Sequence, residues 1–250
     1  MSNQLVKSGI HHHNSVQLDY YAGKVKKTMI PVDSYYVNNH INQFVRFSGI
    51  TREDKILEVG CGMGKFTFPL LKKGYKITGL DLSPVLLQKM LEHNGNRFPI
   101  DLVASDILEA PNELNDRFDY VIGFFTLHHF MNLDTYIKAM SRLLKPGGSI
   151  IFLEPNAYNP LYYFQIVFSP TMSWAGDKGV ARMTNKNFHK ASEYAGLKNV
   201  SINKYGFFPP FVVNTKIGRA VEKFIEKLRI FKAFSAFQIV KMDKPNQNEY

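Results

Sequence analysis

A chain of 250 residues, 45% hydrophobic and 14% aromatic, has enough apolar material for a full buried core; this excludes a disordered protein and fits one large domain with room for a lid. No window reaches the run of about 18 uncharged apolar residues that a membrane span needs, the opening "MSNQLVKSGIHHHNSVQ" lacks a signal-peptide core, and the single cysteine, Cys61, excludes a disulfide framework, so a cytoplasmic protein is expected. The formal charge of +10 would suit RNA, an anionic lipid surface or an acidic substrate, but the lysines are scattered and no basic block with interleaved aromatics occurs, which favours a basic enzyme over a nucleic-acid binder.

Residues 1–50 are expected as an N-terminal cap or lid, in which the stretch 16–47 is rich in tyrosine. Three consecutive histidines at 11–13 lie in a polar terminus, and no metal is assigned to them. Five short, mostly β-branched runs then alternate with helical patterns: "KILEVG" (55–60), "YKITGLD" (75–81), "IDLVASD" (100–106), "FDYVIGF" (118–124) and "GSIIFLEP" (148–155). That alternation predicts a parallel sheet covered by helices.

Ser83 followed by Pro84 marks a helix start, and "LDTYIKAMSRLLKPGG" keeps helical spacing until Pro146-Gly147-Gly148 stops it. Residues 156–183 show no period and read as an insert, rich in aromatics and holding the only tryptophan, Trp174. A helix capped by Thr184, a strand near 198–206 and a last strand at 234–242 complete the sequence, with a second insert at about 207–232. Within 214–234, Ile217, Val221, Phe224, Ile225, Leu228 and Phe231 recur at helical spacing opposite Lys216, Arg219, Lys223 and Lys227. Such a helix can lie on an anionic membrane; the expectation is that its apolar face packs on the sheet or lid, with no stable membrane association.

The chemistry concentrates where the first strand ends. Gly60, Gly62 and Gly64 form G-x-G-x-G at a strand-to-helix turn, one residue short of the dinucleotide spacing G-x-G-x-x-G. Asp81 closes the second strand 21 residues after Gly60, where a carboxylate can accept both hydroxyls of a ribose. Asp106 closes the third, within reach of an adenine edge. Glu58, just before the glycines, is a poor neighbour for pyrophosphate and a good one for a cationic ammonium or sulfonium.

With these residues in place, "LEVGCGMGKF", "GLDLSP", "ASDI", "FDYVIGFFTLHHF" and "LLKPGGSIIFLEPN", in this order and spacing, resemble the motifs of the class I S-adenosylmethionine-dependent methyltransferases over most of residues 50–155. The resemblance implies a Rossmann-like, doubly wound seven-stranded sheet, mostly parallel with an antiparallel last strand, and S-adenosyl-L-methionine as cofactor, leaving S-adenosyl-L-homocysteine. It implies that Glu58, Gly60, Cys61 and Gly62 line the methionine moiety. Asp81 would bind the ribose, with Leu82, Asp106 and Ile107 around the adenine. Phe124 and Phe125 would lie near the sulfonium. Tyr21 is also expected among the cofactor-binding residues.

S-adenosylmethionine is already activated, so a protein mostly positions the reactants, and an oxygen nucleophile of high pKa also wants a general base. His128 and His129, after the fourth strand, are the candidates; adjacent residues point apart, so one of them is expected to face the substrate. Tyr20, Tyr35, Tyr158 and Trp174 are expected to form an aromatic acceptor wall. The fourth strand leaves through Gly123-Phe124-Phe125-Thr126, unlike the Asn/Asp-Pro-Pro-Tyr type associated with nucleobase amines. The expected activity is methyl transfer to an oxygen or nitrogen of a small apolar or ring-containing molecule. The alternatives are RNA, a membrane lipid or quinone as acceptor, or a non-catalytic homologue, and the oligomeric state is open.

Overall fold

The computed structural model describes residues 14, 29–163 and 178–246. Its centre is one seven-stranded sheet in the order β3-β2-β1-β4-β5-β7-β6. The strands are β1 (Lys55–Val59), β2 (Lys76–Asp81), β3 (Asp101–Ala104), β4 (Phe118–Phe124), β5 (Leu144–Pro155), β6 (Lys198–Tyr205) and β7 (Phe237–Asp243). All neighbours from β3 to β5 are parallel, and β7 runs antiparallel between β5 and β6. Strand order reverses between β1 and β4, so the connections leave on opposite sides there and open a crevice at the carboxyl ends of both strands.

The near-continuous apolar strands have both faces covered, as a parallel sheet requires. Successive residues alternate sides. Ile56, Ile122, Ile151 and Ile239 join one core with helix α1 (Tyr35–Ser48), while Leu57, Val121, Ile150 and Val240 join the other with helices α4 (Leu133–Leu143) and α5 (Asn185–Tyr194). Helix α1 starts where the Ser34 side chain accepts the Val37 N–H and stops at Gly49 in the left-handed region, φ 74°. It buries Val37, Ile41 and Phe44 completely. Residues 35–48, expected as lid, therefore form a core helix, and truncating Phe44 would cost about 3–5 kcal/mol.

Helices α2 (Thr67–Lys72) and α3 (Pro84–Asn94) flank β2. The Ser83 side chain accepts the Leu86 N–H and Pro84 opens α3, as the sequence predicts. Helix α4 ends earlier than expected, at Leu143, because the N–H groups of Asp116 and Arg117 take the carbonyls of Arg142 and Leu143. Leu144 already pairs with Phe118, and the Pro146-Gly147-Gly148 stop lies inside β5.

The largest departure is in α7 (Lys216–Lys227), which follows the short helix α6 (Pro210–Val213). Its buried positions are Gly218 and Glu222, while Ile217 is 78% and Phe224 65% exposed. The apolar face expected to pack points outward. The physical reason is polar: Glu222 accepts the N–H groups of Phe207 and Phe208 at 2.8 and 3.0 Å, and Glu226 accepts that of Gly206 at 2.9 Å, so the acidic side of the helix is the side that docks. Among the described residues, no helix is long and apolar enough to cross a membrane.

Candidate functional site

A cavity of about 640 Å³ occupies the crevice beyond the carboxyl ends of β1, β2, β4 and β5. Its first wall is the turn after β1. Gly60 adopts φ 71°, and a side chain there would collide with Thr126 at 2.5 Å, so the turn and the β4 exit can approach only with glycine. Gly62, at φ 54°, would direct a Cβ to within 3.7 Å of the Met29 methyl and into ligand space.

Asp81 is pinned beside this turn. Its Oδ2 accepts the Gly62 N–H at 2.8 Å and its Oδ1 the Ser83 N–H at 2.9 Å. Burial raises its pKa, opposed by those two backbone donors. Each carboxylate oxygen keeps a second acceptor site, two in all, which matches a vicinal diol. Glu58 is buried, its Oε2 has no well-formed hydrogen bond among the described residues, and burial, opposed by the nearby Thr67 hydroxyl, pushes its carboxyl up to about 8. An unpaired buried acceptor in a cavity wall calls for a cationic ligand group. Asp106 faces the same space, its Oδ1 accepting the Leu108 N–H at 2.9 Å and its Oδ2 bonded by the Asn14 amide. A bare glycine turn, a two-site carboxylate and an orphaned carboxylate oxygen fit S-adenosylmethionine.

The second wall rises from β4 and β5. Phe125 is held at φ 55°, strained for a bulky residue, with its N–H bonded to the Leu153 carbonyl at 2.7 Å. The chain then turns so that Thr126 and Leu127 donate their N–H groups to Glu154 Oε1, both at 2.7 Å, and His128 Nδ1 meets Glu154 Oε2 at 2.6 Å. Glu154 is fully buried. Because a carboxylate only accepts, Nδ1 carries the proton of this contact, and Nε2 is the ring nitrogen not engaged by Glu154. Contrary to the expectation that these adjacent side chains point apart, the His128 and His129 rings stand 4.0 Å from each other, centroid to centroid, and both line the cavity, because the short 3-10 turn at Leu127–His129 carries them together.

Aromatic side chains close the remainder: Tyr36, Phe66, Phe125, Phe207, Phe208 and Phe237. Behind them His40 is packed edge-on against Tyr36, Phe125 and Phe237, with Nδ1 2.6 Å from the Tyr205 hydroxyl. Burial, then the nearby Lys65 charge, lowers its pKa to about 3, so this histidine is a neutral packing element.

Of the residues singled out in the sequence, Glu58, Gly60, Cys61, Gly62, Asp81 and Leu82 line the cavity, and so do Asp106, Ile107, Phe124, His128 and His129. Tyr35 and Tyr158, expected in the acceptor wall, stand apart from it. Tyr35 lies under the Arg219 guanidinium at 4.5 Å, and Tyr158 is 47% exposed with Lys204 Nζ 4.6 Å over its ring. Tyr36, next to Tyr35 and sent the other way by helical geometry, and Tyr162, four residues after Tyr158, face the cavity in their place. Tyr20, Tyr21 and Trp174 lie outside the described residues. Sequence reasoning missed Glu154, whose signal was a lone carboxylate in the otherwise apolar run "SIIFLEP", and it missed the run "GFFPPF".

Residues 57–152 match the family described as "Methyltransferase domain". The rat (Rattus norvegicus) ubiquinone biosynthesis O-methyltransferase, mitochondrial, is 34% identical over 131 residues, covering 50% of this chain and 37% of that protein. The demethylmenaquinone methyltransferase of Staphylococcus aureus (strain JH9) is 36% identical over 109 residues, 42% of this chain and 45% of that one. The chain thus spans less than half the length of these relatives. In fold it is similar to the geranyl diphosphate C-methyltransferase of Streptomyces coelicolor A3(2), solved with Mg2+, geranyl diphosphate and S-adenosyl-L-homocysteine, with TM-score 0.61 and 15% identity over 93% of this chain and 98% of that one. With the glycine turn, the buried Asp81 beside it and the seven-stranded order already assembled, these likenesses identify residues 57–152 as a methyltransferase domain of the class I S-adenosylmethionine-dependent type.

Proposed function

We propose that the protein is an O-methyltransferase that acts on a hydroxyl of a small, ring-containing, apolar molecule. The observation that carries this reading is the His128–Glu154 pair at the cavity wall. A phenolic or quinol-type hydroxyl holds its proton at neutral pH, so its methylation gains from a base of about neutral strength within hydrogen-bond reach. The two relatives, a ubiquinone biosynthesis O-methyltransferase and a demethylmenaquinone methyltransferase, agree with a ring acceptor. Cys61, a buried free thiol, fits work in a reducing, cytoplasmic compartment.

When bound, S-adenosylmethionine supplies a methyl group on a sulfonium. Glu58, Gly60, Cys61 and Gly62 would hold its amino-acid end, Asp81 its ribose, and Leu82, Asp106 and Ile107 its adenine. His128 takes the acceptor proton at Nε2, and Glu154 fixes the ring through Nδ1 and shares the positive charge that develops. The aromatic wall of Tyr36, Phe125, Phe207 and Phe208 orients a flat acceptor and excludes water. Labelled S-adenosylmethionine incubated with catechols, short-chain quinols, aromatic amines and RNA tests the proposal. Label in the ring hydroxyls supports it, and label only in amines or RNA overturns it.

A further inference from the structure

The outward apolar face of α7 has an occupant that its charges specify. Ile217, Val221, Phe224 and Leu228 form one exposed stripe along the helix, and Ile230 and Phe231 continue it beyond the helix end at 76% and 41% exposure. On a helix of 3.6 residues per turn, Lys216, Lys223 and Lys227 fall in the adjoining stripe, and all three are exposed. The two acidic residues of the helix are turned the other way, spent on the backbone N–H groups of residues 206–208. The surface that remains is therefore apolar and basic with its acids withdrawn, on a chain of formal net charge +10. It is continuous with the cavity rim, since Phe211 in α6, immediately before α7, lines the cavity and is 78% exposed.

We propose that this face seats the protein on an anionic phospholipid bilayer, with the apolar stripe entering the headgroup boundary and the lysines meeting lipid phosphates. A patch of this size facing water is costly, and a partner that is itself apolar inside and negative outside covers both stripes at once. The cavity rim then lies at the bilayer surface, where an acceptor dissolved in lipid would reach it. The expectation of no stable membrane association rested on a packed apolar face, and the exposure of Ile217 and Phe224 removes that ground. The inference does not depend on which atom is methylated.

Sedimentation of the full chain with phosphatidylcholine vesicles, with and without phosphatidylglycerol, at physiological salt, tests it. The wild-type chain should pellet with the anionic vesicles and stay in solution with the neutral ones. The pair Ile217→Glu and Phe224→Glu, and separately the exposed set Lys216→Glu, Lys223→Glu and Lys227→Glu, should each reduce the bound fraction about ten-fold or more. Melting temperature and cofactor binding should hold in both variants, and the lysine set still tests the proposal if the apolar pair misfolds. Wild-type protein that remains in solution with anionic vesicles overturns it, as do variants that pellet like wild type. A lipid-free dimer that the Ile217/Phe224 pair dissociates also overturns it, by assigning the face to a second copy.

Discussion

The two walls of the cavity are built by different means. On the side of β1 to β3, the decisive contacts are backbone groups and short sequence separations: Asp81 bonds the N–H of Ser83, two residues away, and that of Gly62, nineteen away. On the side of β4 to β7, the wall is held by side chains brought from afar: His128 to Glu154 across 26 residues and, in the packing behind it, His40 to Tyr205 across 165. A backbone cradle needs glycines and one acid at fixed spacing, so one ligand geometry recurs. A side-chain wall changes with single substitutions, so under the proposed function acceptor identity resides there.

The division breaks most clearly at His128. His128→Ala should lower kcat by about 10²–10⁴ while leaving cofactor affinity nearly unchanged, with Glu154→Gln producing a smaller loss in the same direction. Steady-state kinetics paired with calorimetry reads both quantities. A variant with full turnover on an oxygen acceptor would leave positioning alone to carry the catalysis. A variant that loses cofactor binding equally would erase the boundary between the walls.

Glu58 probes the cradle through pH. In the folded, ligand-free protein its carboxyl keeps a proton up to about pH 8, whereas in the unfolded chain it loses it near 4.5. The folded state binds the extra proton between these values, so stability falls as pH rises through that window, and Glu58→Gln should flatten the slope. A cationic ligand favours the ionised form. Its affinity should therefore rise by up to about ten-fold per pH unit between pH 6 and 8, with about one proton released on binding at pH 7. Calorimetry in two buffers of different ionisation enthalpy measures that proton. Its absence would mean that the cation does not sit beside Glu58.

Asp81→Ala should weaken S-adenosylmethionine and S-adenosylhomocysteine alike, by roughly 1.5–3 kcal/mol, since two hydroxyl acceptors are lost together. Here kcat at saturating cofactor should change little, the reverse of the His128 pattern. Tight binding of NADH in place of either compound would instead reassign the cradle.

These contrasts explain what the sequence revealed. The seven strands, the Ser83 cap and the place of Asp81 at the end of β2 were legible because each follows from a local pattern: alternation of apolar runs, an N-cap before proline, an acid at a strand end. Glu154 was hidden because its partners lie on another strand's exit, and its role appears only when β4 and β5 pair in register, Phe124 beside Leu153. The orientation of α7 misled for a related reason. Its helical pattern marks two faces but not which one docks, and the choice was made by Glu222 reaching backbone N–H groups of a distant turn.

Tyr205→Phe sharpens the comparison at smaller scale. It removes the hydroxyl held 2.6 Å from His40 Nδ1 while keeping the ring, and leaves that buried nitrogen unpaired. A stability loss of about 1–3 kcal/mol is expected by thermal or urea unfolding, with no shift in the pH dependence of kcat, since His40 stays neutral across the working range. A shift in that profile would make His40 part of the chemistry and not of the packing.

The smallest effects should come from the tyrosines that stand outside the cavity. Half-buried Tyr35 and exposed Tyr158 each lie against one cation, Arg219 at 4.5 Å and Lys204 at 4.6 Å, and contacts of this kind near the surface are worth about 0.5–1 kcal/mol. Tyr35→Ala and Tyr158→Ala should therefore lower stability by no more than about that amount and leave the acceptor KM unchanged. The segment after β5 is fixed by its asparagines: Asn156 donates to the carbonyls of Ala233 and Ser235, and Asn159 donates to that of Phe234. Asn156→Ala would leave the carbonyls of Ala233 and Ser235 without their donor and release the loop that brings Leu161 and Tyr162 to the cavity, so it should raise the acceptor KM where Tyr158→Ala does not. If Tyr158→Ala raised KM and Asn156→Ala did not, the acceptor would bind at the outer surface of this segment, and the aromatic wall inside the cavity would have another use.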